Sequence, residues 1–365
     1  MGNKRYRIML VIHALGYGGA GKMIVKLADA LAERDDFEVI LYVEEQVGKH
    51  YPMSNKVKVW QETQFFSNYY IRHFQQMFQL RKRVAEIKPD LIISFQTNQN
   101  ALSVFATRGR NIPVIVSERG DPYQYSNIVA KLKIWMINKA EGGVFQTHRA
   151  MAYYGKKLQS RSRVIYNPCP TDKVERPLWE NRKDEIAYVA RFDIQQKRQD
   201  VMVEAFVEVV EKHPEMKLVF YGKGEPDIDI IKQLVEKKGI SDNVVFKGLV
   251  TDVIDKIKGS KLFVLSSDYE GLPNSLIEAM VAGLSCVSTD CSPGGAKELI
   301  TDYENGIVVP CADPQALADA INYMLDNPVV ADEMGRKAQE ICERLKPEKI
   351  FAQWNEYIDS ILANK

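Results

Sequence analysis

Cysteine and histidine are both scarce in this chain, with five of each among 365 residues. The cysteines are an odd number without a Cys-x-x-Cys pair, which argues against a disulfide framework and against a zinc site. The histidines are scattered, and no two of them stand at a spacing typical of metal ligands. The composition therefore predicts a protein without a structural metal.

Long hydrophobic runs are absent as well. No apolar stretch approaches the ~18–20 residues that cross a bilayer, so the sequence predicts no transmembrane helix. Residues 1–10 lead directly into a strand-like run and contain no apolar stretch long enough for a secretory signal. Together these observations predict a protein that stays in the cytoplasm.

The chain has almost no net charge, at +1, but its two halves differ strongly. Residues 1–170 hold 25 Lys and Arg against 13 Asp and Glu, a balance of +12, whereas residues 171–365 hold 24 against 35, a balance of −11. Such an asymmetry favours an anionic surface as the partner of the basic half. Solvated charged faces without any partner would produce the same pattern.

Strand-like and helix-like segments alternate along most of the chain. They begin with the apolar run 6–14 and resume at 186–192, after a polar, proline-containing linker at 164–185. Alternation of this kind indicates parallel sheets covered by helices on both faces. We predict an α/β protein with two Rossmann-like domains, 1–168 and 169–346. Ligands are expected beyond the carboxyl ends of the strands, in a cleft between the domains.

The glycine-rich loop HALGYGGAGKM, after the first predicted strand, fits two motifs. Gly16, Gly18 and Gly21 match the G-x-G-x-x-G pattern of dinucleotide-binding proteins, and Gly16, Gly21 and Lys22 match the beginning of a P-loop. Met23 follows Lys22 where a P-loop has a hydroxyl side chain. Because Mg²⁺ prefers oxygen ligands, the loop does not favour an NTPase.

The dinucleotide interpretation has some further support. Glu44 and Glu45 end the second predicted strand, about where a ribose-binding acid is expected. However, residues 13–15 separate the first strand from the first glycine, so the turn is not the tight one of that motif. The second half also offers no obvious acid or base for hydride transfer. An NAD-dependent dehydrogenase remains an alternative, as does a non-catalytic two-domain sugar-binding protein.

The segment EGLPNSLIEAM in the second half combines an anion site with carboxylates. Its helix is expected to begin at Asn274, a good N-cap residue, so that a phosphate would fit near Asn274, Ser275 and Leu276. Glu270 precedes this helix and Glu278 lies in its first turns. Because carboxylates accept hydrogen bonds from sugar hydroxyls, a nucleotide sugar would satisfy both kinds of group. Solvated surface carboxylates are the alternative.

Two cations are expected at the same edge of the second sheet. Arg191 follows a predicted strand and Lys197 precedes a predicted helix, and both suit a diphosphate. The strand ends YGKGEPD and FKGLV contain Gly222 and Lys247, and their glycines would allow a base to approach the backbone. These segments favour the same ligand, a nucleotide sugar.

Together these motifs resemble the retaining GT-B glycosyltransferases of glycosyltransferase family 4. Glu270 and Glu278 match the family's E-x7-E motif, and Arg191 and Lys197 match its cationic element. The loop and helix GYGGAGKMIVKLADAL resemble its N-terminal segment. The likeness covers nearly the whole chain and is nearest to bacterial enzymes that elongate lipid-linked glycans and surface polysaccharides. It implies an acceptor-binding first domain, a nucleotide-sugar-binding second domain, and a final helix at 347–365 that returns to the first.

The resemblance also implies a reaction and a set of site residues. A hexose or N-acetylhexosamine would pass from a nucleotide sugar, with UDP the best match, to a hydroxyl of a lipid-linked glycan, with retained configuration and without a metal or another cofactor. The implied catalytic residues are Glu270, Arg191 and Lys197. The implied donor contacts are Gly18, Gly19, Gly222, Lys247, Gly271, Leu272, Asn274, Ser275, Leu276 and Glu278. Relatives have Ser-Glu-His where this chain has Ser-Glu-Arg, so Glu118 and Arg119 are expected on the acceptor or donor-sugar side.

A lipid-linked acceptor would require a surface that meets the membrane. Segments 69–88 and 127–139 are predicted as basic amphipathic helices, and such helices lie on anionic lipid. The apolar face of the first is expected to contain Ile71, Phe74, Phe78, Val84 and Ile87. We expect peripheral attachment to the inner face of the cell membrane and no nucleic-acid partner. Ordinary core helices with solvated faces are the alternative.

Overall fold

The structure is a computed structural model of the chain. It describes residues 5–16, 19–45, 51–62, 69–124 and 126–364, and the side chains at 69–71 and 73 lie outside that description. The chain divides into two compact units: unit 1 comprises Met1–Asn167 and Glu348–Lys365, and unit 2 comprises Pro168–Pro347. None of the described helices has the length and apolar character that a membrane span requires.

Unit 1 contains a seven-stranded parallel sheet of order β3-β2-β1-β4-β5-β6-β7. Its elements in chain order are β1 (Tyr6–Ala14), α1 (Gly19–Ala32), β2 (Phe37–Glu45), β3 (Lys58–Gln61), α2 (Tyr69–Ile87), β4 (Leu91–Phe95), α3 (Thr97–Ala106), β5 (Val114–Ser117), α4 (Ile128–Ile137), β6 (Gly142–Phe145), α5 (His148–Ala152), α6 (Lys156–Gln159) and β7 (Ser162–Val164). The middle of β1, from Ile8 to Ile12, is fully buried. A strand buried on both faces reads as a continuous apolar run, which is how this one was predicted.

In helix α2 of unit 1, only part of the predicted apolar face is buried. In α2, Val84 and Ile87 are buried, but Phe74 and Phe78 are 63% and 62% exposed, and the side chain of Ile71 is outside the described residues. The apolar face that the spacing predicts for α2 is therefore buried at Val84 and Ile87 and exposed at Phe74 and Phe78. With 19 residues, α2 is about 28 Å long, whereas the five residues of β4 span about 17 Å. Periodicity identifies the face of a helix but not which of its turns reach the core.

Unit 2 contains a six-stranded parallel sheet of order β10-β9-β8-β11-β12-β13. Its elements are β8 (Lys183–Val189), α7 (Ile194–Lys197), α8 (Gln199–Lys212), β9 (Lys217–Tyr221), α9 (Asp227–Lys237), β10 (Val244–Gly248), α10 (Val253–Ile257), β11 (Ser260–Leu265), α11 (Asn274–Val281), β12 (Ser285–Thr289), α12 (Gly295–Leu299), β13 (Ile307–Val309), α13 (Pro314–Asp326), α14 (Pro328–Ala338) and α15 (Ile341–Arg344). Both units are thus Rossmann-like parallel sheets, and the predicted α/β class is confirmed.

The last helix, α16 (Pro347–Ala363), packs on unit 1. The buried ring of Trp354 stacks on Phe95, with 6.3 Å between ring centres. The Tyr357 hydroxyl donates to the carbonyl of Arg161 and accepts from the N–H of Gly143 at 2.9 Å. Side chains near the end of the sequence therefore complete the core of the first unit.

Candidate active site

Glu270 lies in the loop between β11 and α11, beyond the carboxyl end of β11. Its carboxylate accepts hydrogen bonds from the ammonium group of Lys197 and from Ser267 Oγ, the latter at 2.8 Å. The N–H of Glu270 donates to the carbonyl of Ser292 at 2.7 Å, which fixes the loop. The side chains of Lys197 and Glu270 are only 14% and 11% exposed. They form a shielded ion pair, in which charges interact more strongly than in bulk water.

Lys197 is positioned by α7, the short helix between β8 and α8. Asp193 caps this helix by accepting a hydrogen bond from the N–H of Gln196 at 3.1 Å. The carbonyl of Lys197 accepts from the hydroxyl of the buried Tyr188 at 2.5 Å and from Ser266 Oγ at 3.0 Å. Groups from two neighbouring strands therefore hold the backbone that carries the ammonium group.

Arg191 follows β8, and its side chain is 63% exposed. The guanidinium donates to Asp193 at 2.8 Å and to the amide oxygen of Gln196 at 2.5 Å. Gln196 in turn donates to the carbonyl of the residue before Glu270 at 3.0 Å. The structure thus brings Arg191, Lys197 and Glu270 to one part of the sheet edge in unit 2.

The N-terminus of α11 differs from the prediction by one residue. The helix begins at Asn274, and the cap position is occupied by Pro273, with φ −72° and ψ 107° and no side-chain capping bond. The prediction of Asn274 as the N-cap is wrong because a proline, which needs no backbone donor, takes the half-helical position before it. The N–H groups of Asn274, Ser275 and Leu276 are therefore not capped by the preceding side chain, which suits an anion.

The other predicted donor contacts differ in what they can offer a ligand. Leu272 and Leu276 are 4% and 0% exposed, so only their backbone groups are available. Glu278 is partly buried on α11, and Lys247 is exposed near the end of β10. The side chains of the two leucines are thus part of the buried core.

Two glycines of unit 2 are required by close backbone contacts. A Cβ atom on Gly222 would lie 1.8 Å from the carbonyl oxygen of Ala190, and one on Gly295 would lie 2.1 Å from the carbonyl oxygen of Gly271. Both contacts join loops at the carboxyl edge of the sheet, where no side chain fits between the two backbone segments. The loops around Glu270 are therefore packed backbone against backbone.

In unit 1, Glu118 follows β5 and is 2% exposed. Its carboxylate accepts from Thr97 Oγ1 at 2.7 Å, from the Tyr154 hydroxyl at 3.1 Å and from the N–H of Arg119 at 3.1 Å. Burial raises the pKa of Glu118, although these hydrogen bonds oppose the shift. Arg119 donates to the amide oxygen of Asn167. Glu118 is thus enclosed by the fold, and Arg119 is the more available of the two.

A cluster that the sequence analysis did not identify lies at the carboxyl ends of β1 and β2. His13 Nδ1 is 3.3 Å from Glu44 Oε2, and His13 Nε2 is 3.2 Å from Glu45 Oε2. Gln99 at the start of α3 donates to Glu44 at 2.9 Å. The hydrogen bond to Glu44 raises the pKa of His13, against the effect of burial. The sequence signal for this cluster, acidic residues that end a strand, predicts a ribose-binding acid instead.

The glycine-rich loop is only partly covered by the structure. Gly18, predicted to contact the donor, lies outside the described residues. Gly19 is exposed and is the first residue of α1. Among the described residues, no group of three or more His, Cys, Asp and Glu side chains is arranged to hold a metal ion.

Two family models match the chain in succession. The model described as Glycosyltransferase Family 4 matches residues 17–173, and that described as Glycosyl transferases group 1 matches residues 171–341. The Lys197–Glu270 pair and α11 lie within the second match. Together the two models cover residues 17–341, and β1 and α16 lie outside both matches.

Similar proteins include enzymes named for glycan synthesis. The chain is 27% identical over 370 residues to "GalNAc-alpha-(1->4)-GalNAc-alpha-(1->3)-diNAcBac-PP-undecaprenol alpha-1,4-N-acetyl-D-galactosaminyltransferase" of Campylobacter jejuni, covering 97% of this chain and 99% of that one. It is 22% identical to the "Amylovoran biosynthesis glycosyltransferase AmsD" of Erwinia amylovora, covering 97% and 100%. It is 33% identical to the poly(ribitol-phosphate) alpha-N-acetylglucosaminyltransferase of Staphylococcus aureus, covering 46% and 34%.

Solved structures with the same fold span the whole chain. Anabaena HepE in complex with UDP and glucose has a TM-score of 0.77 at 17% identity, covering 98% of this chain and 100% of that one. Sucrose-phosphate synthase from Thermosynechococcus elongatus has a TM-score of 0.81 at 19% identity, covering 99% and 100%. At these identities the likeness shows the architecture.

Proposed function

The chain belongs to the glycosyltransferases of family 4, with two Rossmann-like domains of the GT-B type, and we propose that it transfers a hexose or N-acetylhexosamine from a UDP-sugar to a hydroxyl of a lipid-linked glycan. The observation that carries the proposal is the shielded pair of Lys197 and Glu270, linked through α7 to the exposed Arg191. These groups lie at the edge of a parallel sheet, where such folds bind ligands.

The charges at this edge suit the two ends of a nucleotide sugar. Breaking the glycosidic bond leaves negative charge on a diphosphate, and fixed donors aimed at that charge lower the barrier. Arg191 supplies a planar fork, Lys197 a point charge, and the start of α11 a set of N–H groups. Glu270 supplies acceptors for sugar hydroxyls. We propose that these groups act without a divalent metal and that the anomeric configuration is retained.

Binding of UDP tests the donor half of the proposal. We expect UDP to raise the Tm of the protein by the same amount with and without EDTA, since ligands that bind the folded state stabilise it. Arg191→Ala should abolish most of this shift. A shift that requires added Mg²⁺ would contradict metal independence, and the absence of any shift with nucleoside diphosphates would contradict the donor class.

The stereochemistry needs its own experiment. Retention predicts that an α-linked donor yields an α-linked product. Proton NMR of the product formed in the first minutes reports the configuration at the new linkage. A β-linked product would contradict the proposed mechanism and leave the donor and acceptor untouched.

The dehydrogenase alternative loses one of its two candidate ribose-binding acids in unit 1. Glu44 is 1% exposed and is engaged by His13 and Gln99, so its carboxylate is not presented to a ribose. Titration with NADH, followed by fluorescence, should give no saturable binding. Turnover of a UDP-sugar separates a transferase from a non-catalytic sugar-binding protein.

The acceptor side of the proposal concerns α4, a helix of unit 1. Ile128, Val129, Leu132 and Trp135 are 81%, 53%, 57% and 53% exposed on it. The Nζ of Lys139 lies 3.7 Å from the centre of the Trp135 ring. Exposed apolar groups beside cations suit the surface of an anionic bilayer. We propose that unit 1 attaches to the cytoplasmic face of the membrane through α4, where a lipid-linked acceptor is found.

A further inference from the structure

Arg119 is the second residue after β5 and follows Glu118. It lies at the carboxyl edge of the sheet in unit 1, the edge at which open parallel sheets bind ligands. Its Nη2 donates to the amide oxygen of Asn167, and its guanidinium carbon lies 5.0 Å from the centre of the Phe95 ring. An amide oxygen and a ring face orient a guanidinium. Neither of them carries the negative charge that would balance it.

The guanidinium group of Arg119 forms no ion pair with a described carboxylate. Its Nη1 is buried and has no hydrogen-bond partner among the described residues, and no described carboxylate forms an ion pair with it. The side chains outside the description include no Asp or Glu. Within the described residues, the positive charge of Arg119 is therefore not balanced by direct contact with a carboxylate.

The neighbouring Glu118 does not remove this imbalance. Its carboxylate is bonded to the hydroxyls of Thr97 and Tyr154. Burial lowers the pKa of Arg119 to about 9, and the charge of Glu118 offsets this only in part. A desolvated cation without a contacting anion is costly, and a protein recovers that cost when an anion binds.

We propose that Arg119 binds an oxyanion of a substrate, so that the enzyme selects an acidic glycosyl substrate. A guanidinium matches carboxylate and phosphate oxygens through two parallel hydrogen bonds, and Nη1 is the donor available for one of them. Two sources offer this chemistry: the carboxylate of a uronic-acid donor and the phosphate of a lipid-linked acceptor. The inference rests on the proposed transfer reaction and narrows its substrates.

Equilibrium binding to the wild type and to Arg119→Gln distinguishes the two sources. The probes are UDP, UDP-glucose, UDP-glucuronic acid and a short-chain prenyl diphosphate. Loss of a charge-assisted pair weakens binding about 10- to 100-fold. For a donor carboxylate, the wild type prefers UDP-glucuronic acid over UDP-glucose by that factor and the variant does not. If Arg119 binds an acceptor phosphate, only the binding of the prenyl diphosphate is weaker in the variant than in the wild type.

Two further variants separate recognition from folding. Arg161→Gln makes the same charge change at an exposed position just before β7, at the opposite end of the strands, and should leave all four affinities unchanged. Arg119→Lys keeps the charge and should retain part of the discrimination. Because Arg119→Gln removes an uncompensated charge, its Tm is expected to equal or exceed that of the wild type. A large fall in Tm in both Arg119 variants would indicate a structural role and overturn the inference.

The outcomes for Arg119 and for the transfer reaction are separable. The inference is overturned if the wild type and Arg119→Gln bind UDP-glucuronic acid equally well and also bind the prenyl diphosphate equally well. In that case, binding of UDP to both proteins would still support the proposed donor class. If UDP does not bind the wild type, the proposed function fails. The prenyl diphosphate comparison then still decides whether Arg119 receives an oxyanion.

Discussion

The carboxyl edges of the two sheets are built in opposite ways. In unit 2, Lys197 and Glu270 neutralise each other within the chain, and the glycines Gly222 and Gly295 lock the loops that carry them. In unit 1, Arg119 is held by a neutral amide and retains a buried, unbonded Nη1 in the described structure. One edge is complete before any substrate arrives, and the other is completed by a substrate.

This difference fits the division of work that we propose. A nucleotide is a constant feature of such reactions, and a pre-organised site serves it without reorganisation at the moment of bond breaking. Acceptors and sugars vary from enzyme to enzyme, and recognition of a charged group is strongest when the site is unsatisfied without it. The comparison therefore assigns chemistry to unit 2 and selectivity to unit 1.

The strongest test of this assignment is Glu270→Gln. The substitution removes the charge that pairs with Lys197 and should lower kcat about 100- to 1,000-fold, as the loss of one pre-organised transition-state contact does. The affinity for UDP should change far less. Steady-state kinetics with a UDP-sugar, together with UDP binding, measures both. Glu333→Gln, which alters an exposed pair with Arg336 on α14, is the control. A variant that keeps normal kcat would remove Glu270 from the mechanism.

The rigidity of the unit 2 edge predicts a difference between glycine substitutions. Gly222→Ala should reduce the free energy of unfolding by about 2–3 kcal/mol, because a Cβ there cannot avoid the Ala190 carbonyl. Gly259→Ala, where no atom of the described residues lies within 4 Å, should be nearly neutral. So should Gly120→Ala in unit 1, where the nearest described atom is 4.0 Å away. Urea denaturation measures all three. Equal losses would show that the two edges are equally packed.

We expect the exposed helix α4 to give unit 1, but not unit 2, an affinity for lipid. The double variant Leu132→Ser and Trp135→Ser should weaken binding to vesicles that contain anionic lipid about 10- to 100-fold, since each side chain would otherwise bury its apolar surface. Val329→Ser changes an even more exposed residue, at 82%, in unit 2 and should have no effect. Co-sedimentation at two salt concentrations gives the measurement. Equal binding of all three proteins would exclude α4 as the attachment site.

The smallest expected effect concerns the His13 cluster. Since the pKa of His13 is raised in the folded state, its interaction with Glu44 stabilises fully below pH ~6.5 and is lost as the pH rises through the folded value. The wild type should therefore lose stability between pH 6 and pH 8.5 relative to His13→Gln. Denaturation curves at both pH values test this, with His148→Gln, an exposed histidine on α5, as the control. An unchanged pH dependence in His13→Gln would contradict the shift.

Sequence reasoning succeeded where the chemistry is local. The strand, loop and helix around Glu270 are contiguous, so hydrophobic runs and motif spacing indicated their order. The N-cap of α11 was misassigned by one residue because propensity favoured Asn274 over Pro273. Strand β1 was also predicted, since its middle is a continuous buried apolar run, whereas β3 is exposed along its whole length.

The side-chain arrangement of unit 1 was beyond such reasoning. His13, Glu44 and Gln99 come from three elements and meet only through the strand order β2-β1-β4. Helix α3 was not predicted because it buries polar side chains, including Gln99 and Asn100, which obscures the 3.6-residue period. That no described carboxylate pairs with Arg119 depends on its surroundings in three dimensions, and one sequence contains no sign of it.

The packing of α16 on unit 1 has a consequence for biosynthesis. On the ribosome, residues 168–347 emerge in full before Trp354 becomes available to cover Phe95. The second unit can therefore reach its native state while the first still exposes part of its interior. The first half, although it is synthesised first, is therefore completed only after the second half has been synthesised.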